Sequence, residues 1–333
     1  MRSSMQSLGA SLLLLLSSPL PALALSTPTT IFTLPGPVAP ASWFENLAIR
    51  PNGKILATRG DAPEIWQIDP ATGQGSLLVS VTGAFNLTGI AEVVPHRRPQ
   101  LQTQGCLETY VFGSSHIPAP LQVEPGSAKV WKLQFPASGA AAPTVSLLAA
   151  MPNAGFINGI AAWGRGRVLL SDTEAEAIYL MNVETGAYTT PLTGLTGVNG
   201  IKAARGYVYR ADHLSLTLSR IPVNHDAVAT GPAEILATNQ LIDDFALDVS
   251  ANGQGKAYVG AMYNNNVVKV AIAAAPSSSQ GAKTLVADNL SGTGTGLCTV
   301  VAFGRRPQDS GLLYATVGQG GGSASIVRID PSA

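Results

Sequence analysis

Glu45, Asn158, Asn199 and Asp243 lie far apart in the chain, yet each opens a segment of the same make-up. The segments are Glu45-Asn46-Leu47-Ala48, Asn158-Gly159-Ile160-Ala161, Asn199-Gly200-Ile201-Lys202 and Asp243-Asp244-Phe245-Ala246. Thr88-Gly89-Ile90-Ala91 and Thr295-Gly296-Leu297-Cys298 complete the set. Two carboxylates and two amide oxygens are a donor set that hard divalent cations favour, with water completing the shell. The leading positions hold no imidazole or thiolate, which disfavours a dedicated zinc or copper site. Without a metal, two neighbouring carboxylates repel and one keeps its proton, giving an acid and a base in one pocket. The sequence leaves both states open. Asn, Asp and Thr commonly begin strands by bonding nearby backbone, but Glu does not, so Glu45 asks for another explanation.

The elements that position these residues follow from their spacing. The leading positions 45, 88, 158, 199, 243 and 295 recur every 41 to 52 residues, except for one 70-residue unit with a Pro/Gly-rich insertion. Between them, short runs rich in Val, Ile, Leu and Tyr alternate with Gly, Pro, Asn and Asp clusters, which marks strands joined by turns. Each unit accommodates up to four strands, as in Lys54–Thr58, Glu64–Asp69 and Ser76–Val81 after the first opener. Such units repeated six times predict an all-β fold, a six-bladed β-propeller with four-stranded blades, over residues 25–333. Thr30–Leu34 is expected to supply the outer strand of the last blade and close the ring, protecting the sheet edges.

In this architecture the innermost strands run along the central channel, and their first residues meet at one mouth. The loops between second and third strands open on the same face. They carry Arg59 and Asp61, Ser114-Ser115-His116, Asp172, Arg210-Ala211-Asp212-His213, Met262-Tyr263 and Gln319. His213 and His116 could move a proton near neutral pH. Tyr263 could cover an apolar ligand or donate its hydroxyl, and Arg59 could orient a substrate together with Asn158 and Asn199.

Composition narrows the partners. The 333 residues are 46% hydrophobic and 12% charged, with 20 basic and 20 acidic side chains. No basic field exists to neutralise nucleic-acid phosphates, and the apolar content argues against disorder. Residues 1–24 read as a secretory signal peptide: Arg2, a short Leu-rich run and Ala22-Leu23-Ala24 as a cleavage site. No later stretch has the roughly 20 apolar residues of a membrane span. Secretory entry would make Asn289 a candidate for N-glycosylation and Asn86 a weaker one. It would also allow Cys106 and Cys298 to pair, a question the spacing leaves open. The Gly318–Gly322 run lacks the following Lys-Ser/Thr of a phosphate loop and reads as a hairpin tip. No G-x-S-x-G elbow occurs, so a conventional serine hydrolase has little support.

The openers Glu45, Asn158, Asn199 and Asp243 resemble the pattern of the senescence marker protein/gluconolactonase family, which includes regucalcin. That resemblance implies Glu45, Asn199 and Asp243 as ligands of a divalent cation (calcium or zinc) and Asn158 as a substrate contact. The chain departs from it at Glu45-Asn46-Leu47 and at Asn158-Gly159. Longer strings, among them Glu45–Gly53, Val130-Trp131-Lys132, Ala154–Ile160, Gly197–Lys202, Thr230–Glu234 and Asp243–Asp248, are similar to secreted fungal propellers of secondary metabolism. These include the hetero-Diels–Alderases of tropolone sesquiterpenoid biosynthesis. The resemblance implies a fungal source and a small, largely apolar polyketide or terpenoid substrate. The resemblance does not fix the reaction: a hetero-Diels–Alder or related cyclisation, which needs no cofactor, stands beside a divalent-metal-dependent lactonase and a non-catalytic ligand-binding propeller. Glu45, Asp243 and His213 are then the expected proton-handling groups, in a monomer or simple homo-oligomer.

Overall fold

A computed structural model describes residues 25–36, 42–93, 108–118, 122–136, 142–164, 166–275, 280–294, 296–318 and 323–332. The expected signal peptide, Cys106, Thr295 and Gln319 lie outside the described residues. Six four-stranded antiparallel sheets form the blades of a six-bladed propeller. The first holds β2 (Phe44–Ile49), β3 (Ile55–Arg59), β4 (Glu64–Asp69) and β5 (Gln74–Ser80). The second holds β6 (Ile90–Glu92), β7 (Thr109–Ser114), β8 (Lys129–Gln134) and β9 (Thr144–Ala150). The third runs from β10 (Ile157–Ala162) through β11 (Arg167–Asp172) and β12 (Ala177–Asn182) to β13 (Tyr188–Leu192). The fourth comprises β14 (Val198–Ala204), β15 (Tyr207–Asp212), β16 (Thr217–Pro222) and β17 (Glu234–Ala237). The fifth comprises β18 (Phe245–Val249), β19 (Gly255–Ala261), β20 (Asn266–Ile272) and β21 (Lys283–Ala287). In the sixth, β22 (Val301–Phe303), β23 (Leu313–Val317) and β24 (Ser325–Ile329) are completed by β1 (Thr29–Thr33) from the other end of the chain. Thr29 pairs with Arg328 and Thr33 with Ser325, so the ring is closed by backbone pairing.

Hydrophobic packing lies between blades. One wedge joins Leu56 and Ile65 of the first blade to Tyr110 and Phe112 of the second. Another joins Phe44 and Ile55 to Tyr314 and Ile326 across the closure. Alternating side chains of each twisted sheet face the two neighbouring blades, so middle strands such as β7 and β11 are buried on both faces, whereas the outer strands β5 and β9 hold no buried residue.

At the axis the inner strands approach so closely that side chains must yield. A Cβ on Gly159 would sit 2.8 Å from the Asn199 carbonyl, and one on Gly200 would sit 2.5 Å from that of Asp243. Backbone bonds then pass from blade to blade: Gly89 N donates to Asn158 O, Gly200 N to Asp243 O and Asp244 N to Thr299 O. Thr299 Oγ1 donates to Phe44 O and continues the girdle into the first blade. This corrects the sixth opener. Cys298-Thr299-Val300 leads into β22 at Val301, where Thr295-Gly296-Leu297-Cys298 was expected as the opener. The Thr-Gly repeats before it imitate the opener pattern in sequence.

Candidate active site

Register shifts occur at Phe44/Asn46, Ile157/Ile160 and Val198/Ile201, in the first turn-in of β2, β10 and β14. Such bulges re-aim side chains near sites. Glu45, Asn158 and Asn199 sit at these three irregularities, while Asp243 occupies the corresponding place just before β18.

Glu45 Oε2 accepts a 2.6 Å bond from the Trp43 indole. Burial pushes the Glu45 carboxyl up to about 7; the Trp43 bond draws it back, and the charge of Asp244 adds to the rise. Asp243 is also held well above the usual carboxylate range, first by burial and then by Glu45 and Asp244. The Asn199 amide and Lys202 offset only part of that. The mouth therefore contains a carboxyl pair that is reluctant to carry two charges. Asn199 Oδ1 is buried beside them without a hydrogen-bond partner. Asn158 is anchored by a 3.3 Å bond from Nδ2 to Thr173 Oγ1.

Below the pair lies a cluster that composition alone did not single out. Asn46 Nδ2 donates to Asp244 Oδ2 at 2.9 Å, across from the first blade to the fifth. Lys202 of the fourth blade forms an ion pair with Asp244 Oδ1. Asn46 and Asp244 stand where three other openers have Gly, and that substitution was the available signal. Polar side chains at the most crowded position of the ring have to be paired with each other.

The remaining expected residues surround the mouth unequally. The Arg59 guanidinium is turned to Asp61 and to Glu64, the latter at 2.7 Å, so its donors serve the β3–β4 loop. His213 Nδ1 is 2.9 Å from the Gly197 carbonyl, to which a protonated Nδ1 can donate. His116 bonds Glu124 within its own loop and stacks on Phe85 with ring centroids 3.7 Å apart. Tyr263 lies in a one-turn 3-10 helix (Met262–Asn264) and is 70% exposed. Phe85, Ile117 and Leu214 are also exposed on loops of this face, Leu214 by 65%. Large apolar side chains are thus exposed on four loops of the face at which the inner strands begin, and of these the sequence had pointed only to Tyr263.

Cys298 is buried, and burial together with Asp243 pushes its thiol up, so it is a protonated neighbour of the site. Asn86 is 7% exposed, and its Oδ1 accepts from Ser115 N, which leaves no access for a glycan on the folded chain. Asn289 is exposed. In a chain that has passed through the secretory pathway, Asn289→Gln is expected to lower the mass by one glycan and Asn86→Gln to leave it unchanged. Intact-mass spectrometry checks both. Among the described residues no helix is long and apolar enough to cross a membrane, and no group of three or more His, Cys, Asp or Glu converges as a metal centre.

No protein-family profile matches the chain. It is 24% identical over 321 residues to a Phoma sp protein named "Putative hetero-Diels-Alderase", covering 83% of each chain. In fold it resembles a calcium-binding protein, regucalcin, from Agrobacterium tumefaciens, with TM-score 0.59 and 14% identity. That match covers 92% of this chain and 97% of the other. A solved structure titled as a putative gluconolactonase matches with TM-score 0.59 and 13% identity, covering 92% of both chains.

Proposed function

We propose that this six-bladed propeller catalyses a hetero-Diels–Alder cyclisation, joining a quinone methide of tropolone or related polyketide origin to a terpenoid alkene. The supporting observation is the setting of the carboxyl pair: a protonatable Glu45 and a charge-averse Asp243, within a rim of exposed apolar side chains. An apolar guest can cover that rim, and its polar end can meet the pair. The relationship to the Phoma sp protein supports the same class of reaction, and the N-terminal pattern would place it in the secretory pathway.

The proposed steps balance without a redox partner. Glu45 gives its proton to the hydroxyl of a hydroxymethyl precursor, the C–O bond breaks, and water leaves. The ring hydroxyl of the precursor gives its proton to Asp243, so the quinone methide is neutral and the pair keeps its proton count. Proton exchange between the two carboxyls restores the starting state. The four-π-electron heterodiene then adds to the alkene, forming one C–C and one C–O bond. Asn158, Tyr263 and the reprotonated Glu45 hold and polarise the heterodiene carbonyl, and Phe85 and Leu214 hold the alkene face. Orientation of two bound partners can supply about 7–11 kcal/mol of such a barrier, and a positioned donor adds to it. His213 is an additional hydrogen-bonding group on the same face.

A second reading rests on Asn199 Oδ1. A buried amide oxygen with no partner, beside two mutually repelling carboxylates, fits a hard cation. Glu45, Asn199 and Asp243 would hold it, and a bound calcium or zinc ion would polarise a lactone carbonyl for hydrolysis. Asn158 would then orient the substrate.

The test uses an ortho-hydroxymethyl tropolone, a medium-ring terpenoid alkene and purified protein with EDTA. The cyclase reading expects one enantiomer of the dihydropyran adduct, formed faster than without protein. Racemic adduct at the uncatalysed rate overturns it. Lactone hydrolysis that is abolished by EDTA and restored by calcium or zinc would establish the second reading instead.

A further inference from the structure

The end of the channel opposite Glu45 opens into a cavity of about 440 Å3, walled by the second halves of all six inner strands. Eight of its lining residues are alanine, including Ala91, Ala162, Ala203 and Ala302, which are partly exposed to it. Leu247 and Phe303 add larger apolar surface. At its inner end stand Lys202 and Asn46, and the Asn46–Asp244–Lys202 cluster separates it from the carboxyl mouth. At its outer edge Glu92 is paired with Arg305, which also donates to Ile49 O at 2.9 Å.

We infer that this cavity is a second ligand site, which takes a neutral, apolar molecule bearing a carbonyl group, with the carbonyl oxygen directed at Lys202 Nζ. The small side chains keep the space open where the strands could otherwise have closed it with Leu or Ile. The ammonium has three N–H donors, and Asp244 Oδ1 occupies one. The charge at the inner end disfavours an anion: Lys202 is already balanced by Asp244, and Glu45 and Asp243 lie just beyond. A carboxylate brought there would meet a net negative field, whereas a carbonyl needs only the free donor. This inference stands independently of the chemistry assigned to the mouth.

The test uses prodan, a neutral naphthalene ketone whose emission moves to the blue in apolar surroundings. Titration of the full chain is expected to saturate. In displacement, 2-acetylnaphthalene should compete at least tenfold better than 2-ethylnaphthalene, which lacks the acceptor, and than 2-naphthoate, which carries the charge. Ala203→Phe and Ala302→Phe fill the cavity from two blades, and each should weaken prodan at least tenfold. Tyr263→Ala, at the opposite face, should leave prodan affinity within twofold. On the unaltered protein, saturating 2-acetylnaphthalene should lower acetic-anhydride labelling of Lys202 at least fivefold, read by peptide mass spectrometry against Lys283. The inference is overturned by non-saturable binding, by naphthoate competing as well as the ketone, or by unchanged Lys202 labelling. It is equally overturned if Tyr263→Ala abolishes prodan binding while folded cavity-filling variants retain it.

Discussion

Asp243→Asn is expected to make the protein more stable at pH 8 while lowering turnover at least about 100-fold, the range for losing a positioned proton-transfer group. The two effects have one cause. Asp243 is buried beside Glu45 and Asp244, and its carboxyl is held well above the ordinary range. A group with a raised pKa stabilises the fold while it is protonated, and that contribution is lost as pH rises through the folded-state value. Glu45 gives the window: from its ordinary value of 4.5 up to about 7, the folded chain keeps a proton that the unfolded chain releases. Stability from this group therefore falls between about pH 4.5 and 7. An amide carries no charge and so removes the penalty that ionisation in this buried setting imposes above that window. Melting curves at pH 5 and pH 8 check the sign for Asp243→Asn and Glu45→Gln: each variant should gain on the parent only at the higher pH. Variants that melt earlier than the parent at pH 8, or that keep full turnover, would remove the pair from the centre of the site. A gain in stability with a loss of activity is the usual signature of a strained functional group.

The second large effect is structural. Gly200→Ala is expected to cost about 2–4 kcal/mol, at the upper end for overpacking, because the obstacles are backbone atoms. The added Cβ would meet the Asp243 carbonyl at 2.5 Å and the Asp244 Cα at 2.6 Å. Relief would require the fourth and fifth blades to separate at the axis, which breaks the bond from Gly200 N to Asp243 O. Gly311→Ala is the control: nothing lies within 4 Å of its added Cβ. It should change stability by less than about 0.5 kcal/mol. Urea denaturation of both variants measures the difference; equal midpoints would mean that the girdle tolerates expansion.

Much of the ring could be read from the chain because one crowded geometry is solved six times, and crowding leaves a mark on residue type. The inner position after each opener is Gly in three blades, and the strands between turn clusters fall where Glu64–Asp69, Ala177–Asn182 and Thr217–Pro222 are observed. Blade six was misregistered by three residues. Its girdle bond is made by the Thr299 hydroxyl, which needs no Gly, while a neighbouring Thr-Gly run mimics the pattern. The candidate site was legible in its acids and amides but not in its surroundings. Arg59 could be placed on the correct loop, yet only geometry reveals that Asp61 and Glu64 occupy its guanidinium. Asn86 satisfies the sequon rule, and burial of its amide is a tertiary fact. The pairing of Asn46 with Asp244 joins residues 198 positions apart, a distance over which local pattern carries no information.

The pairing of β1 with β24 has a consequence for the newborn chain. Glu45 is among the first folded residues to be made and Asp243 comes from the fifth blade, but the sixth sheet lacks its third strand until residues 325–329 have emerged. Throughout synthesis, β1 has no partner strand to pair with, and the first and fifth blades present apolar flanks that β22–β24 will later cover. Contacts between such distant segments form slowly, and exposed strand edges invite wrong partners. The burden on chaperones should therefore peak just before residues 325–329 are made. Removal of those residues should then be more damaging to yield than their number implies, because it leaves β1 without a strand to pair with.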